Sequence, residues 1–94
     1  MRPLSDDQIT AALAELPGWE RAGDALRREW QLGSFREAMG FLVRVGFEAE
    51  ARDHHPEVWN VYSRVRLTLT THDAGNRITE KDVALARVLS DLTP

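Results

Sequence analysis

The segment from Ser34 to Asp53 constrains this chain more than any other, because it reads as a long amphipathic helix in a chain of only 94 residues. Ser34 and Glu37 have the spacing of a capping box and mark its start. Phe35, Met39, Leu42, Gly46 and Ala49 follow one stripe, and Phe41, Val45 and Phe47 widen it. A stripe this wide predicts cover almost all round, by a sheet on one side and other chain on the other. Gly40 and Gly46 inside the helix each cost about 1 kcal/mol relative to alanine, and so predict close approach of another element. Pro56 predicts the stop, since the residue before a proline is pushed out of the helical region.

The rest of the chain supplies what the helix packs on. Leu4 to Leu16 reads as a short helix, with Ser5 and Gln8 as a capping box and Ile9, Ala12, Leu13 and Leu16 as its apolar stripe. Pro17-Gly18 ends it. Trp19–Ala22 and Ala25–Leu32 read as a hairpin about Gly23-Asp24. Leu26, Trp30 and Leu32 share a face that Arg28 interrupts, and both tryptophans are expected to pack. Val58 to Thr71 has strand composition, with Trp59, Val61, Val65, Leu67 and Leu69 on one parity. A single strand of about 14 residues is too long for the usual range, which favours a tight hairpin near Tyr62–Arg64. After the loop Asp73-Ala74-Gly75-Asn76, Thr79 caps a last helix, with Asp82 at its third position and Val83, Ala86, Leu89 and Leu92 on its apolar face. The order α-β-β-α-β-β-α predicts an α+β fold: a four-stranded antiparallel sheet with three helices packed on one face. A single domain spanning 1–94 is expected.

Composition excludes several functions. The content is 43% hydrophobic and 29% charged, as in ordinary globular proteins. There is no cysteine, so thiolate chemistry, disulfides and cysteine zinc sites are ruled out. A net charge of −3 without a basic stripe argues against direct nucleic-acid binding. No apolar run reaches the length of a membrane helix, and the start lacks the apolar stretch of a signal peptide, so a cytoplasmic location is expected.

The chemistry gathers between Glu50 and Asp82. All three histidines, His54, His55 and His72, lie within 19 positions. They fall at predicted element ends, where side chains converge on a cleft instead of entering a core. Glu50 stands one helical turn before His54 and is placed to orient it. Histidine gives or takes a proton near neutral pH, so the set suits acid–base work on a small molecule. A metal site is the rival reading, but adjacent His54 and His55 do not readily face one ion, and there is no His-x-x-x-His or Glu-x-x-His pair. Asp82 reads both as a capping carboxylate and as a site residue. Tyr62 reads first as a packing residue.

Glu50-x-x-x-His54-His55-Pro56, then Tyr62, then Thr70-Thr71-His72-Asp73 and finally Asp82 resemble the signature of the pterin-4a-carbinolamine dehydratases. The resemblance covers nearly the whole chain. It implies loss of water from a 4a-hydroxy-tetrahydropterin in a cofactor-free site. It also implies assembly as a homodimer or homotetramer. The resemblance implies the three histidines as the chemical groups, and on different elements His54 and His72 are expected to act as general acids and His55 as base or binding group. Glu50 serves His54, and Asp82 serves His72 or the pterin, with Tyr62 and Pro56 in support. The alternative it carries is a non-catalytic dimerisation or assembly factor on the same fold. One departure stands out: Arg77-Ile78-Thr79 occupies a place where the family often has Gly-Leu-Thr or Gly-Leu-Ser.

Overall fold

The computed structural model describes every residue from Met1 to Pro94. Its elements are α1 (Asp6–Ala14), β1 (Glu20–Ala22), β2 (Ala25–Gln31), α2 (Phe35–Ala51), β3 (Glu57–Val61), β4 (Arg64–Leu69) and α3 (Glu80–Asp91), with a short 3-10 turn at His72–Ala74. This is the expected α-β-β-α-β-β-α order. The four strands form one antiparallel sheet in the order β1-β2-β4-β3, which leaves β1 and β3 as its edges.

Local chemistry accounts for the boundaries. Ser5 Oγ accepts from Gln8 N, and Gln8 Oε1 accepts from Ser5 N, closing the capping box of α1. At α2 the box is altered. Ser34 Oγ accepts from Glu37 N, but the Glu37 carboxylate reaches back one residue further, to Gly33 N at 2.7 Å. A Cβ on residue 33 would lie 2.4 Å from that carboxylate oxygen, so a side chain there would make the Glu37 carboxylate shift. The first hairpin turns over two residues, Gly23 and Asp24, with Ala22 paired to Ala25 and Gly23 at φ +63°.

The second hairpin corrects the parity read from the sequence. It also turns over two residues, Tyr62 and Ser63, and Trp59 pairs with Arg66 while Val61 pairs with Arg64. Trp59 and Val61 therefore share the outer face with Arg64 and Arg66. They do not join Val65, Leu67 and Leu69 on the core side. A continuous strand keeps parity, whereas a two-residue reversal exchanges it. On that outer face Arg66 lies 4.4 Å and Arg64 5.2 Å from the Trp59 ring centre, and both guanidinium groups meet Glu29.

All three helices contribute to one core on the other face. Ile9 from α1, Phe41 and Val45 from α2, and Val83, Leu85, Ala86 and Leu89 from α3 pack with Leu26, Trp30, Val65, Leu67 and Leu69. Trp19 and Trp30 meet edge to face, and Trp30 lies 4.9 Å from Phe41. Their indole N–H groups donate to Ser90 and Thr93. Arg28 keeps its place on this face because its guanidinium lies over the Trp30 ring, 4.7 Å from its centre, and donates to the carbonyl of Pro17.

The wide stripe of α2 is only half covered. Ala38, Phe41, Val45 and Ala49 are buried, but Phe35, Val43 and Phe47 are exposed. Nothing lies within 4 Å of a Cβ built on Gly46, and only Arg44 approaches Gly40. The close approach expected at these glycines does not occur within the chain, because both lie away from the sheet.

Candidate active site

The site starts from the way α2 ends. The helix stops at Ala51, well before Pro56, and Asp53 adopts a left-handed φ of +48°. Asp53 N donates to Glu50 O and His54 N to Ala49 O, both at 3.1 Å. This is the Schellman pattern, with aspartate where glycine usually sits. Pro56 is thus not the stop. It stands immediately before β3, at the same end of the sheet as the histidines.

That reversal rearranges the expected partners. Glu50 and His54 no longer share a helical face, because the left-handed residue lies between them. Glu50 instead meets His55, Oε1 to Nε2 at 3.0 Å, in an exposed pair. His54 turns towards α3, where its Nε2 lies 2.6 Å from Asp82 Oδ1. The His54 side chain is 11% exposed and that of Asp82 is 0% exposed. The other oxygen, Oδ2, accepts from Thr71 Oγ1 at 2.8 Å and from Thr79 N at 2.9 Å. Asp82 closes the capping box of α3 and holds a histidine with the same carboxylate. It serves His54, not His72.

His72 leaves β4 at the start of the 3-10 turn, and its Nδ1 lies 2.6 Å from Asn76 Oδ1. The loop is closed by Asn76 N donating to Thr71 O and by Thr71 N donating to Arg77 O. The three histidines and Thr71 line one open cleft of about 310 Å³, with the exposed Asp53, Asp73 and Lys81 around it.

Tyr62 is not brought to this cleft. It forms the turn between β3 and β4, at φ +51° and 80% exposed. Pro56 and His72 lie at one end of that hairpin and Tyr62 at the other, about 20 Å away for a six-residue strand. Asn60 fixes the turn by donating to the carbonyls of Tyr62 and Arg64.

Two residues escaped the sequence reading. Thr71 extends the buried parity of Val65, Leu67 and Leu69, and a polar residue at a core-facing position signals a buried partner. Asn76 had no such signal, since its partner is set by the loop path alone.

Carboxylates and histidines pair off here as His54–Asp82 and His55–Glu50, and no group of three or more is placed to hold a metal ion. Each histidine has one ring nitrogen on a side-chain partner, and all three stand at one polar cleft at the end of the sheet.

Residues 2–92 match the family described as Pterin 4 alpha carbinolamine dehydratase. The chain belongs to this family. The pterin carbinolamine dehydratase relatives include a protein of Opitutus terrae, 56% identical over 84 residues that cover 89% of this chain and 87% of the relative. Another, from Thermomicrobium roseum, is 53% identical over 98% of both chains. Both carry the name "Putative pterin-4-alpha-carbinolamine dehydratase". Among solved structures, a transcriptional coactivator/pterin dehydratase from Brucella melitensis superimposes with a TM-score of 0.93 at 35% identity, over 98% of this chain and 99% of that one. A pterin dehydratase-like RuBisCO assembly factor of the alpha-carboxysome has a TM-score of 0.68 at 22% identity, over 80% of this chain and 88% of that one, and shows the shared fold alone. No helix of the chain is long and apolar enough to cross a membrane.

Proposed function

We propose that this chain is a hydro-lyase that converts a 4a-hydroxy-tetrahydropterin to the quinonoid dihydropterin, with the histidine cleft as its active site. Family membership supports the reaction class. The observation that carries the assignment to this cleft is the His54–Asp82 pair, a histidine anchored on a fully buried carboxylate beside two further histidines.

The reaction needs one proton delivered and one removed. The C4a–O bond breaks as the hydroxyl takes a proton and leaves as water. The N5–H bond breaks, its proton goes to a base, and its electron pair becomes the C4a=N5 double bond. Asp82 occupies Nε2 of His54, so Nδ1 is the nitrogen left to exchange protons. The carboxylate behind the ring compensates the charge of its imidazolium, which gives His54 the role of acid. A neutral amide stands behind His72, and its Nε2 takes the N5 proton. This replaces the expectation of His72 as a second acid. His55, exposed and paired with Glu50, serves as a substrate contact at the rim.

An assembly or dimerisation role on the same fold is the alternative. The likeness to an assembly factor extends to the fold alone, and the full histidine set favours the enzyme.

The test is a dehydration assay with the carbinolamine. The protein should accelerate water loss over the uncatalysed rate. His54→Ala should lower the rate by at least ~10² in protein that circular dichroism shows to be folded, since loss of the donor to Asp82 Oδ1 also costs about 1–3 kcal/mol of stability. Activity of His54→Ala within a factor of about two of the parent would remove His54 from the mechanism.

A further inference from the structure

Asn76 Oδ1 lies 2.6 Å from Nδ1 of His72, four residues earlier. A side-chain amide oxygen accepts hydrogen bonds and cannot donate them. With the amide oxygen facing the ring, Nδ1 carries the proton in every protonation state, and a neutral His72 has its lone pair on Nε2. Histidine free in water prefers the opposite tautomer, so the loop overrides the intrinsic preference.

The loop is built to hold this contact. Asn76 adopts φ +58°, a left-handed conformation that asparagine tolerates better than most residues with a Cβ. Its own N–H donates to Thr71 O at 3.1 Å, and the next residue bridges back to Thr71. The amide is thus carried on a closed turn anchored beside β4. It is also neutral. The charged groups around the cleft, Asp53, Asp73 and Lys81, are exposed, and the two anchoring carboxylates are engaged by His54 and His55. His72 alone of the three histidines has an uncharged partner.

We propose that Asn76 is a positioning residue that holds His72 with its proton on Nδ1 and presents Nε2 to the ligand in the cleft. The catalytic consequence rests on the dehydratase reading above. The tautomer does not.

Long-range proton–nitrogen NMR of the ¹⁵N-histidine-labelled protein reads the tautomer directly. The parent should show neutral His72 protonated at Nδ1. Asn76→Gly keeps the left-handed backbone and removes the amide, so its His72 should revert to the proton on Nε2. Asn76→Asp keeps an acceptor and should retain the Nδ1 proton. In the dehydration assay Asn76→Gly should lose about tenfold in kcat, with KM within roughly twofold. Asn76→Asp should recover most of kcat, and should move the acidic limb of the pH profile upward, because a carboxylate favours the charged ring. A parent protein with neutral His72 protonated on Nε2 overturns the proposal. So does an Asn76→Gly variant that changes the tautomer and leaves kcat untouched. If Asn76→Gly fails to fold, the spectra of the parent and Asn76→Asp decide alone. If the parent has no dehydratase activity, the tautomer still decides the proposal and only the functional reading falls.

Discussion

Asp82 is fully buried, and a carboxylate out of water is costly unless both of its oxygens gain donors. Here the donors are His54 Nε2, Thr71 Oγ1 and Thr79 N. Thr71 is the one that a substitution removes with little change of shape. Thr71→Val takes away the hydroxyl bonded to Asp82 Oδ2 and to Thr79 Oγ1. We expect a loss of about 1–3 kcal/mol in denaturant unfolding, the usual effect of leaving a buried acceptor unmatched. We also expect kcat to fall by about tenfold, since His54 is then held by a looser carboxylate. A Thr71→Val variant with parental stability and parental kcat would show that Asp82 needs no help from Thr71. The Glu50–His55 pair is a different case. It lies on the surface, where such a contact is worth little to stability, so its removal should act on substrate contact and leave the fold alone.

Two elements set what the residues do, the end of α2 and the outer face of the sheet. Asp53 at φ +48° carries the Schellman turn that aims His54 at α3. Asp53→Gly relieves the left-handed strain and should unfold at the same temperature or higher. Asp53→Val places a β-branched residue where it is disfavoured and should lose roughly 1–2 kcal/mol. Both variants lack the carboxylate, so lower activity in the valine variant than in the glycine variant isolates the backbone effect. Equal activity and equal stability would mean that the turn is not held by Asp53. On the sheet, hydrogen bonds from Arg64 and Arg66 hold the Glu29 carboxyl below its ordinary value of 4.5. A depressed carboxylate stabilises the fold above that ordinary value, and the stabilisation is lost as pH falls through the lower folded value. Glu29→Gln should therefore melt below the parent at neutral pH, with the gap closing in acid. A gap of the same size at pH 7 and pH 3 would rule out this ion cluster as its cause.

At the scale of the molecule, apolar surface remains that the chain does not cover. Phe35, Val43 and Phe47 are 54%, 57% and 70% exposed on the outward row of α2, in register with Gly40 and Gly46. The edge strand β3 exposes Val58 and Val61 as well. Burying a large apolar side chain is worth about 1.5–3 kcal/mol, so a second copy of the chain against either surface gains substantially. We expect a homodimer or homotetramer, built by joining sheet edges or by packing α2 helices. Light scattering at micromolar concentration measures the mass, and a strictly monomeric value would sink the expectation. Phe47→Asp should lower the mass if α2 is the contact and leave it unchanged if β3 is.

The sequence by itself determined the elements and their order, because those rest on local chemistry. Ser5 with Gln8 and Thr79 with Asp82 cap their helices through bonds three residues long, and Gly23-Asp24 closes a two-residue hairpin turn. The gathering of His54, His55 and His72 at one end of the sheet was legible for the same reason, since all three fall at element ends. Partner choice was not legible. Helical spacing put Glu50 beside His54, and only the left-handed Asp53 redirected it to His55. Alternation put Trp59 with Val65, and a two-residue reversal put it with Arg66. The tight turn at Tyr62 was legible from strand length, but Asn76 reached the ring of His72 through the path of the chain in space. Spacing rules hold only while the backbone keeps its period. Where one residue breaks that period, the neighbours that each side chain meets are decided by how the elements pack.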